Sequence, residues 1–444
     1  SVIVYNNVVQ LINNWRFVQT AQVDPRVRAV KMPKDVFDES LTYVITHEIG
    51  HTLGMLHNMS ASASVPVDSL RSVSFTQKYG TTPSIMDYAR FNYVAQPGDK
   101  GVKLTPPDLG VYDYYVIKWL YSPVPEAKDM WEESKIAEKW IDEKAGDPRY
   151  RYGRQQLAFR IDPSALEEDL GDDPVKAGTY GIKNLKYILN HLNEWISDDP
   201  DFSHRMQLYS GIQEQYMRYL LNALYQVGGI YLSQVKDGTA GEAVKSVARA
   251  KQKESLAWVL KELRNCSWID RPDLINQTGL AVYPSAKIIA AVSKAIEAKG
   301  AMVVLSSHVS QDKNSYTIGD YYDDLYAGVF ASTIQGKKLT REERLLQKNI
   351  FAKLGKTYGD YLRGAQSIQS LNPSLEEMSV YNLFSKGFMD EVYGELQEME
   401  QEHGAGTVAR ELLPVQFGQS ADPFQGNVKI DAIDDIFAYN QAML

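Results

Sequence analysis

The chain has 444 residues, of which 44% are hydrophobic and 23% charged, and its formal net charge is −9. This length exceeds one compact core and predicts two or three domains. No run of 18 apolar residues occurs, which excludes a membrane-spanning helix, and the acidic balance argues against a nucleic-acid partner. The single cysteine, Cys266, excludes an intrachain disulfide and a thiolate metal cluster.

The chain begins with SVIVY, residues 1–5, whose apolar and β-branched character predicts a strand. No initiator methionine, signal peptide or lipidation motif precedes it. We therefore expect the chain to be a fragment of a longer precursor, with its targeting information in the missing part.

Helical patterns fill most of the remaining chain. Apolar spacing predicts a helix within residues 6–21 and a second over 38–53, whereas residues 55–103 are expected to be mostly irregular. A Pro-Pro pair predicts the start of a helix that ends at Tyr121, and a charged amphipathic helix follows within 122–140. The helices predicted further along the chain cover 174–195, 205–227, 241–263, 285–298, 316–334, 341–366 and 428–443.

The helix predicted over 38–53 carries two histidines and a glutamate in a distinctive order. His47 and His51 are four residues apart, so they lie on one face of a helix and can direct ring nitrogens at one point. Zinc binds nitrogen ligands at about 2.0–2.1 Å in a near-tetrahedral arrangement. Glu48 follows the first histidine, which places its carboxylate beside the metal, where a base takes a proton from water.

A third histidine follows the predicted end of this helix. Gly54 can adopt the left-handed conformation that ends helices, so His57 can return as a third ligand and leave the fourth position open. The full pattern H-E-x-x-H-x-x-G-x-x-H arises by chance in such a chain with a probability on the order of 10⁻⁵. Two alternatives stay open: histidines that only pack or face solvent, and a site whose third ligand is a glutamate from a later helix.

A second motif follows the histidines, in the stretch PSIMDYARFNY at residues 83–93. With it, the chain resembles the metzincin clan of zinc endopeptidases. The resemblance implies a tight turn whose Met86 forms an apolar floor under the imidazoles; ordinary core packing is the alternative. It also implies that Tyr88 ligates zinc or hydrogen-bonds the tetrahedral intermediate, unless the ring only packs against the turn. The helix ending at Tyr121 resembles the helix that packs behind the active-site helix in this clan.

The resemblance narrows to large zinc metalloproteases of Bacteroidetes-type bacteria that carry a long helical C-terminal region. It implies a periplasmic, cell-surface or secreted bacterial enzyme. Zinc domains of this clan place several strands before the active-site helix, whereas only 46 residues precede His47 here. We therefore expect most of that sheet to be absent. Either a separate N-terminal segment of the same precursor pairs with its open edge, or the chain is not a fully competent enzyme. The stretches that carry the resemblance are HEIGHTLGMLHNMSAS, SIMDYARFNYVAQPGD, GVYDYYVIKWLY and EEDLGDDPVKAGTYGIKNLK.

Two weaker features remain. The stretch from Glu167 to Asp173 places five acids in seven positions, and Ca²⁺ binds clusters of carboxylate oxygens. The alternative is that Asp173 caps a helix that begins at Pro174. The second feature, Arg90, can meet either a substrate carboxylate or a structural aspartate.

The sequence therefore predicts an α+β fold in two domains. A zincin-like catalytic part, truncated at its N-terminus, covers residues 1–122, and a mostly α-helical C-terminal domain covers 123–444. The predicted function is zinc-dependent endopeptidase action on peptide or protein substrates, with Zn²⁺ on the three histidines and Glu48 as general base and acid. The rivals are a latent or incomplete zinc-binding protein whose helical domain binds a partner, and a zinc hydrolase of another substrate class.

Overall fold

The computed structural model describes residues 6–157, 160–278, 282–310 and 312–352, most of which are helical. The strand expected at 1–5 and the helix expected at 428–443 lie outside the described residues. The helices are α1 (Asn6–Thr20), α2 (Lys34–Thr52), α3 (Val73–Tyr79), α4 (Val111–Tyr121), α5 (Met130–Asp142), α6 (Pro174–Trp195), α7 (Ser203–Leu224), α8 (Arg249–Arg264), α9 (Pro272–Thr278), α10 (Pro284–Glu297), α11 (Lys299–Val309), α12 (Ile318–Val329) and α13 (Ala331–Ile334). Residues 341–352 are also helical, and the rest of the helix expected over 341–366 lies outside the described part.

The described residues contain one sheet, formed by two short antiparallel strands. Strand β1 (Ile230–Leu232) pairs with β2 (Val244–Ser246), and Ile230 lies opposite Ser246. The prediction of a helix from residue 241 was wrong at its start, because strand pairing overrides the local helical spacing there and α8 begins only at Arg249. The described chain is thus mostly helical with one small sheet, while the zincin-like α+β arrangement and the division at residue 122 stay predictions.

Helix boundaries follow local capping chemistry. Helix α6 begins and ends at the predicted residues. Its start is fixed by Asp173, whose side chain accepts the N–H of Lys176. The helix expected over 316–334 is interrupted at Phe330, which separates α12 from α13. No helix in the described part of the chain has the length and apolar character that a membrane span requires.

Helix α7 is central to the helical packing, because it contacts α1, α6, α8 and α10. Its Tyr219 ring packs against Tyr93, with the ring centroids 4.6 Å apart. Asn184 of α6 donates to the carbonyl oxygens of Tyr93 and Ala95, both at 2.8 Å. These contacts join the helices to the irregular segment that follows Met86.

Helix α4 lies against the C-terminal end of α2. Val116 and Ile117 of α4 pack on a buried cluster formed by Met55, Ile85 and Met86. The Tyr121 hydroxyl at the end of α4 donates to the carbonyl of Leu53 at 2.9 Å. Helix α4 thus contacts the residues that follow α2, while its packing behind α2, as the resemblance implies, stays a prediction.

Candidate metal centre

Helix α2 ends in a sharp backbone reversal at Gly54, whose φ is +84°. The N–H of Gly54 donates to the His51 carbonyl at 3.0 Å, and the N–H of Met55 donates to the Gly50 carbonyl at 3.1 Å. These two bonds define a Schellman motif, in which a left-handed residue satisfies the last carbonyls of a helix. The reversal is the one predicted from Gly54, and it turns the chain back towards α2.

The reversal brings the three histidines of the sequence motif together. The ring centroids of His47 and His51 are 4.8 Å apart, and those of His51 and His57 are 4.6 Å apart. One nitrogen from each ring lies within 4.8 Å of the other two. Among the described residues, these histidines are the one group of three or more His, Cys, Asp or Glu side chains able to hold a metal ion.

Backbone carbonyls orient the first two imidazoles. His47 Nδ1 lies 2.7 Å from the Ile85 carbonyl, and His51 Nδ1 lies 2.9 Å from the Met55 carbonyl. Because a carbonyl oxygen can only accept, each Nδ1 carries the proton and donates it. The lone pair of each neutral ring is therefore on Nε2, the atom left to bind a metal.

The third imidazole is oriented by a side chain from a distant segment. His57 Nδ1 donates to Gln155 Oε1 at 2.9 Å, so its lone pair is also on Nε2. The Nε2 atoms of His51 and His57 are 3.0 Å apart, and Nε2 of His47 is buried without a hydrogen-bond partner. Two facing lone pairs repel each other unless a cation lies between them, so this donor set fits a metal ion.

Burial keeps two of these rings neutral. It lowers the pKa of His47 to about 3 and the pKa of His57 to about 4, because a buried imidazole loses the hydration that stabilises its charged form. Both rings are neutral at pH 7, and the neutral imidazole is the form that binds metals.

The Tyr88 side chain lies beside the imidazoles of His47 and His57. The Glu48 carboxylate lies near the Tyr88 phenol. The Tyr88 ring centroid is 4.6 Å from that of His57 and 5.3 Å from that of His47. Burial, with a smaller contribution from the negative charge of Glu48, raises the pKa of the Tyr88 phenol. The phenol is therefore a protonated hydrogen-bond donor at neutral pH. Glu48 itself is half-buried on α2, next to His47.

Arg90 packs against the Tyr88 ring. Its guanidinium carbon lies 4.6 Å from the centre of the Tyr88 ring and 3.9 Å from that of Trp15. The guanidinium also pairs with the buried carboxylate of Glu168 at 3.4 Å. The structural aspartate considered as a partner for Arg90 was therefore the wrong residue, because the carboxylate that Arg90 meets belongs to Glu168.

Met86 is fully buried, and its sulfur lies against α2 at Gly50. A Cβ atom at position 50 would occupy the place of this sulfur, so the close approach requires glycine. Position 50 lies between the two histidines of α2. Met86 thus packs directly beneath the helix that carries them.

Asp113 of α4 holds the turn that contains Met86. Its carboxylate accepts the Ser84 hydroxyl at 2.7 Å, the Ile85 N–H at 3.0 Å and the Gly110 N–H at 2.6 Å. Sequence reasoning missed this residue. An acid at the third position of a helix is a known capping feature, but nothing in the sequence indicates that the same carboxylate also reaches the preceding turn.

The acidic stretch from Glu167 to Asp173, which was considered as a calcium site, makes contacts within the protein. Four of its five acidic side chains accept hydrogen bonds or form ion pairs, whereas Oδ1 of the buried Asp169 has no hydrogen-bond partner. The predicted capping role of Asp173 is present. The Ca²⁺ hypothesis gains no support from these contacts. The partners are Arg160 for Glu167, Arg90 and Arg218 for Glu168, the Val67 amide for Asp172 and the Lys176 amide for Asp173.

Comparison with known proteins agrees with this geometry. A family model described as Met-zincin matches residues 29–337, which is more than half of the chain. No curated protein and no solved structure matches the chain. The matched range includes α2, the turn at Met86 and all three histidines, and it confirms the resemblance to metzincins stated above. On the extent of this match, the chain belongs to the Met-zincin family.

Proposed function

We propose that this chain is a zinc-dependent endopeptidase. The main support for the proposal is the distance of 3.0 Å between the Nε2 atoms of His51 and His57. The Nδ1 atom of each ring already donates a hydrogen bond, so each Nε2 carries a lone pair. Two nitrogen lone pairs at this distance require a cation between them. Three imidazole nitrogens that leave a fourth coordination position open are typical of a catalytic zinc site. Membership of the Met-zincin family supports a metallopeptidase.

The proposed ligands are Nε2 of His47, His51 and His57. A zinc ion held by them supplies Lewis-acid chemistry, which makes water more acidic and a peptide carbonyl more electrophilic. The short distance between the rings of His51 and His57 favours His57 as the third ligand over a glutamate from a later helix.

Glu48 is the proposed general base and acid. Its carboxylate accepts the proton of the attacking water and then delivers it to the nitrogen of the leaving amine. Its place on α2, one residue after a proposed ligand, keeps it beside the reacting atoms. The half-buried environment of Glu48 leaves it reachable by substrate.

Tyr88 is the proposed donor to the oxyanion that develops on the scissile carbonyl. Its phenol stays protonated because burial raises its pKa. The Arg90 guanidinium, which also lies over the Trp15 ring, packs on the Tyr88 ring. Met86 supports α2 from below. The exported location and the bacterial source implied by the resemblance remain part of this proposal.

The test is turnover of a broad peptide library, followed by mass spectrometry of the products, for the unmodified chain and for Glu48→Ala. We expect internal cleavage by the unmodified chain, a loss of about 10²–10⁴-fold in Glu48→Ala, and zinc content unchanged by that substitution. Zinc content should fall in His57→Ala.

Each rival predicts a different result. A latent or incomplete zinc protein would bind zinc through the histidines without cleaving any peptide. A hydrolase of another class would consume a non-peptide amide and yield no peptide fragments. Undiminished zinc affinity in His57→Ala would exclude His57 as a ligand and favour a glutamate.

A further inference from the structure

We infer that Gln155 is a positioning residue of the metal centre, which holds the His57 imidazole with its Nε2 towards the ion. The inference rests on the proposed zinc site and adds a residue outside the sequence motif. Gln155 Oε1 lies 2.9 Å from His57 Nδ1, the ring atom opposite the proposed ligand atom. The two residues are 98 positions apart in the chain.

The segment that carries Gln155 is fastened to the residues that follow His57. The Asn58 side chain, which is fully buried, accepts the N–H of Gly153 at 2.9 Å and donates to the Arg151 carbonyl at 2.9 Å. The N–H of Met59 donates to the Gly153 carbonyl at 2.7 Å. Residues 151–155 therefore run beside residues 57–59 and deliver the Gln155 amide to the ring.

The orientation of the Gln155 amide is also determined by its surroundings. Its Nε2 donates to Glu167 Oε1 at 3.2 Å, which leaves Oε1 to face the imidazole. The other oxygen of Glu167 pairs with Arg160 at 2.7 Å, and both of these charged side chains are largely buried. A carboxylate can only accept, so a flipped amide would face Glu167 with its oxygen and repel it.

The contacts from Gln155 and Glu167 orient the His57 ring, as backbone carbonyls orient the rings of His47 and His51. They fix the tautomer and the direction of the ring, and they raise the basicity of the ligand nitrogen. Partners of this kind contribute about 10–100-fold to metal affinity. We therefore expect zinc affinity to depend on Gln155, although Gln155 does not itself contact the ion.

The experiment measures the zinc dissociation constant of the full chain by competition with a chromogenic chelator. Gln155→Met keeps the length of the side chain and removes both polar atoms, so the dissociation constant should rise by about 10–100-fold. The visible spectrum of the Co²⁺-loaded protein should also change, because it reports the geometry of the ligands.

A paired substitution separates positioning from simple packing. Gln155→Glu alone places two carboxylates side by side and should weaken zinc binding. The double variant Gln155→Glu/Glu167→Gln restores an acceptor for His57 and a donor between residues 155 and 167, so it should recover most of the affinity. A purely structural role would show no such recovery.

Gln77→Met is the matched control, because the exposed Gln77 amide makes one hydrogen bond, to the Gly101 carbonyl, outside the site. If Gln155→Met binds zinc as Gln77→Met does, or if the double variant is no better than Gln155→Glu, the role of Gln155 is overturned while the zinc site stands. If His47→Ala binds zinc as tightly as the unmodified chain, the zinc site and the role of Gln155 both fall.

Discussion

The metal-site region and the α6–α7 region bury different kinds of side chain. Residues 57–113 contain little regular structure apart from α3 and the start of α4, and many of their buried side chains are polar and bonded to backbone. The facing surfaces of α6 and α7 bury mainly aliphatic and aromatic side chains. Examples from the first region are Asn58, Thr82, Ser84, Asp87, Asn92 and Asp113, and from the second Leu185, Ile188, Leu192, Leu208, Ile212 and Leu220.

The difference follows from how the backbone is satisfied. A helix bonds its own N–H and C=O groups, so its buried face is free to be apolar. An irregular buried segment must find partners for those groups, and side chains such as Asp113 supply them. Directional bonds also fix atoms more sharply than apolar contacts, which a metal site requires. Substitutions in the two regions should therefore separate stability from zinc affinity.

The largest effect is expected for Asp113→Ala. It leaves two buried N–H groups and the Ser84 hydroxyl without their acceptor, which should reduce the free energy of unfolding by about 4 kcal/mol. Zinc affinity should fall too, because the Ile85 carbonyl that orients His47 belongs to the same turn. Urea unfolding and zinc titration measure the two effects.

Asp108→Ala is the control for this substitution. Its side chain is 97% exposed and pairs with Lys103 at the surface, so its loss should change stability little. Equal behaviour of the two variants would contradict the structural role of Asp113.

The α6–α7 region should respond differently. Leu220 is fully buried in α7, and Leu220→Ala should reduce the free energy of unfolding by about 3 kcal/mol through lost burial and a residual cavity. The zinc affinity of the folded variant should stay unchanged, because no atom of α7 orients a proposed ligand. A drop in zinc affinity comparable to that of Asp113→Ala would show that the two regions are not separable in this way.

The difference between local contacts within a helix and contacts between distant segments explains which features could be predicted from the sequence. Helix α6 was predicted to the residue because its apolar spacing and its Asp173 cap are local. The histidine cluster could be anticipated because His47 and His51 lie one helical turn apart and Gly54 predicts the reversal that brings His57 back. Strand β2 was missed because its pairing with β1, across a long connection, is a tertiary effect.

Contacts between distant segments account for the rest of the site. His57 and Gln155 are 98 residues apart, and Ile85 and Asp113 are 28 residues apart. A glutamine or an aspartate carries no periodic pattern that reveals which backbone or ring it will meet. Such partners become visible only when the fold brings the segments together.

A buried lysine in the helical region should make the stability of the chain depend on pH. Lys299 is 6% exposed, and burial lowers its pKa from 10.5 to about 7. Between these values the unfolded chain holds one more proton than the folded chain, so stability rises with pH by at most about 1.4 kcal/mol per pH unit. This rise should be absent in Lys299→Met, as measured by urea unfolding from pH 7 to 10.

The difference in stability between Lys299→Met and the unmodified chain reports the titration of this lysine alone, because all other groups titrate equally in both. Lys338→Met, at an exposed lysine, should retain the pH dependence of the unmodified chain. Parallel curves for Lys299→Met and the unmodified chain would refute the assignment.

The smallest effect is expected for two glycines that both have a positive φ but lie in different regions. Gly54 and Gly336 both have positive φ, at +84° and +63°, and neither has an atom within 4 Å of an added Cβ. Alanine at either position therefore introduces backbone strain without a clash, which should cost about 1 kcal/mol of stability. Equal losses in urea unfolding would show that the strain is local.

Zinc titration then distinguishes the two glycines. Strain at Gly54 acts on the reversal that returns His57 to α2, so Gly54→Ala should weaken zinc binding by a few fold. Gly336→Ala should leave it unchanged, because Gly336 follows α13 in the helical region. If both variants bind zinc like the unmodified chain, the His57 ring is held by Gln155 and Asn58 strongly enough to override the strain. The reversal would then serve only to end the helix, and the polar contacts would determine the position of His57, the proposed third ligand.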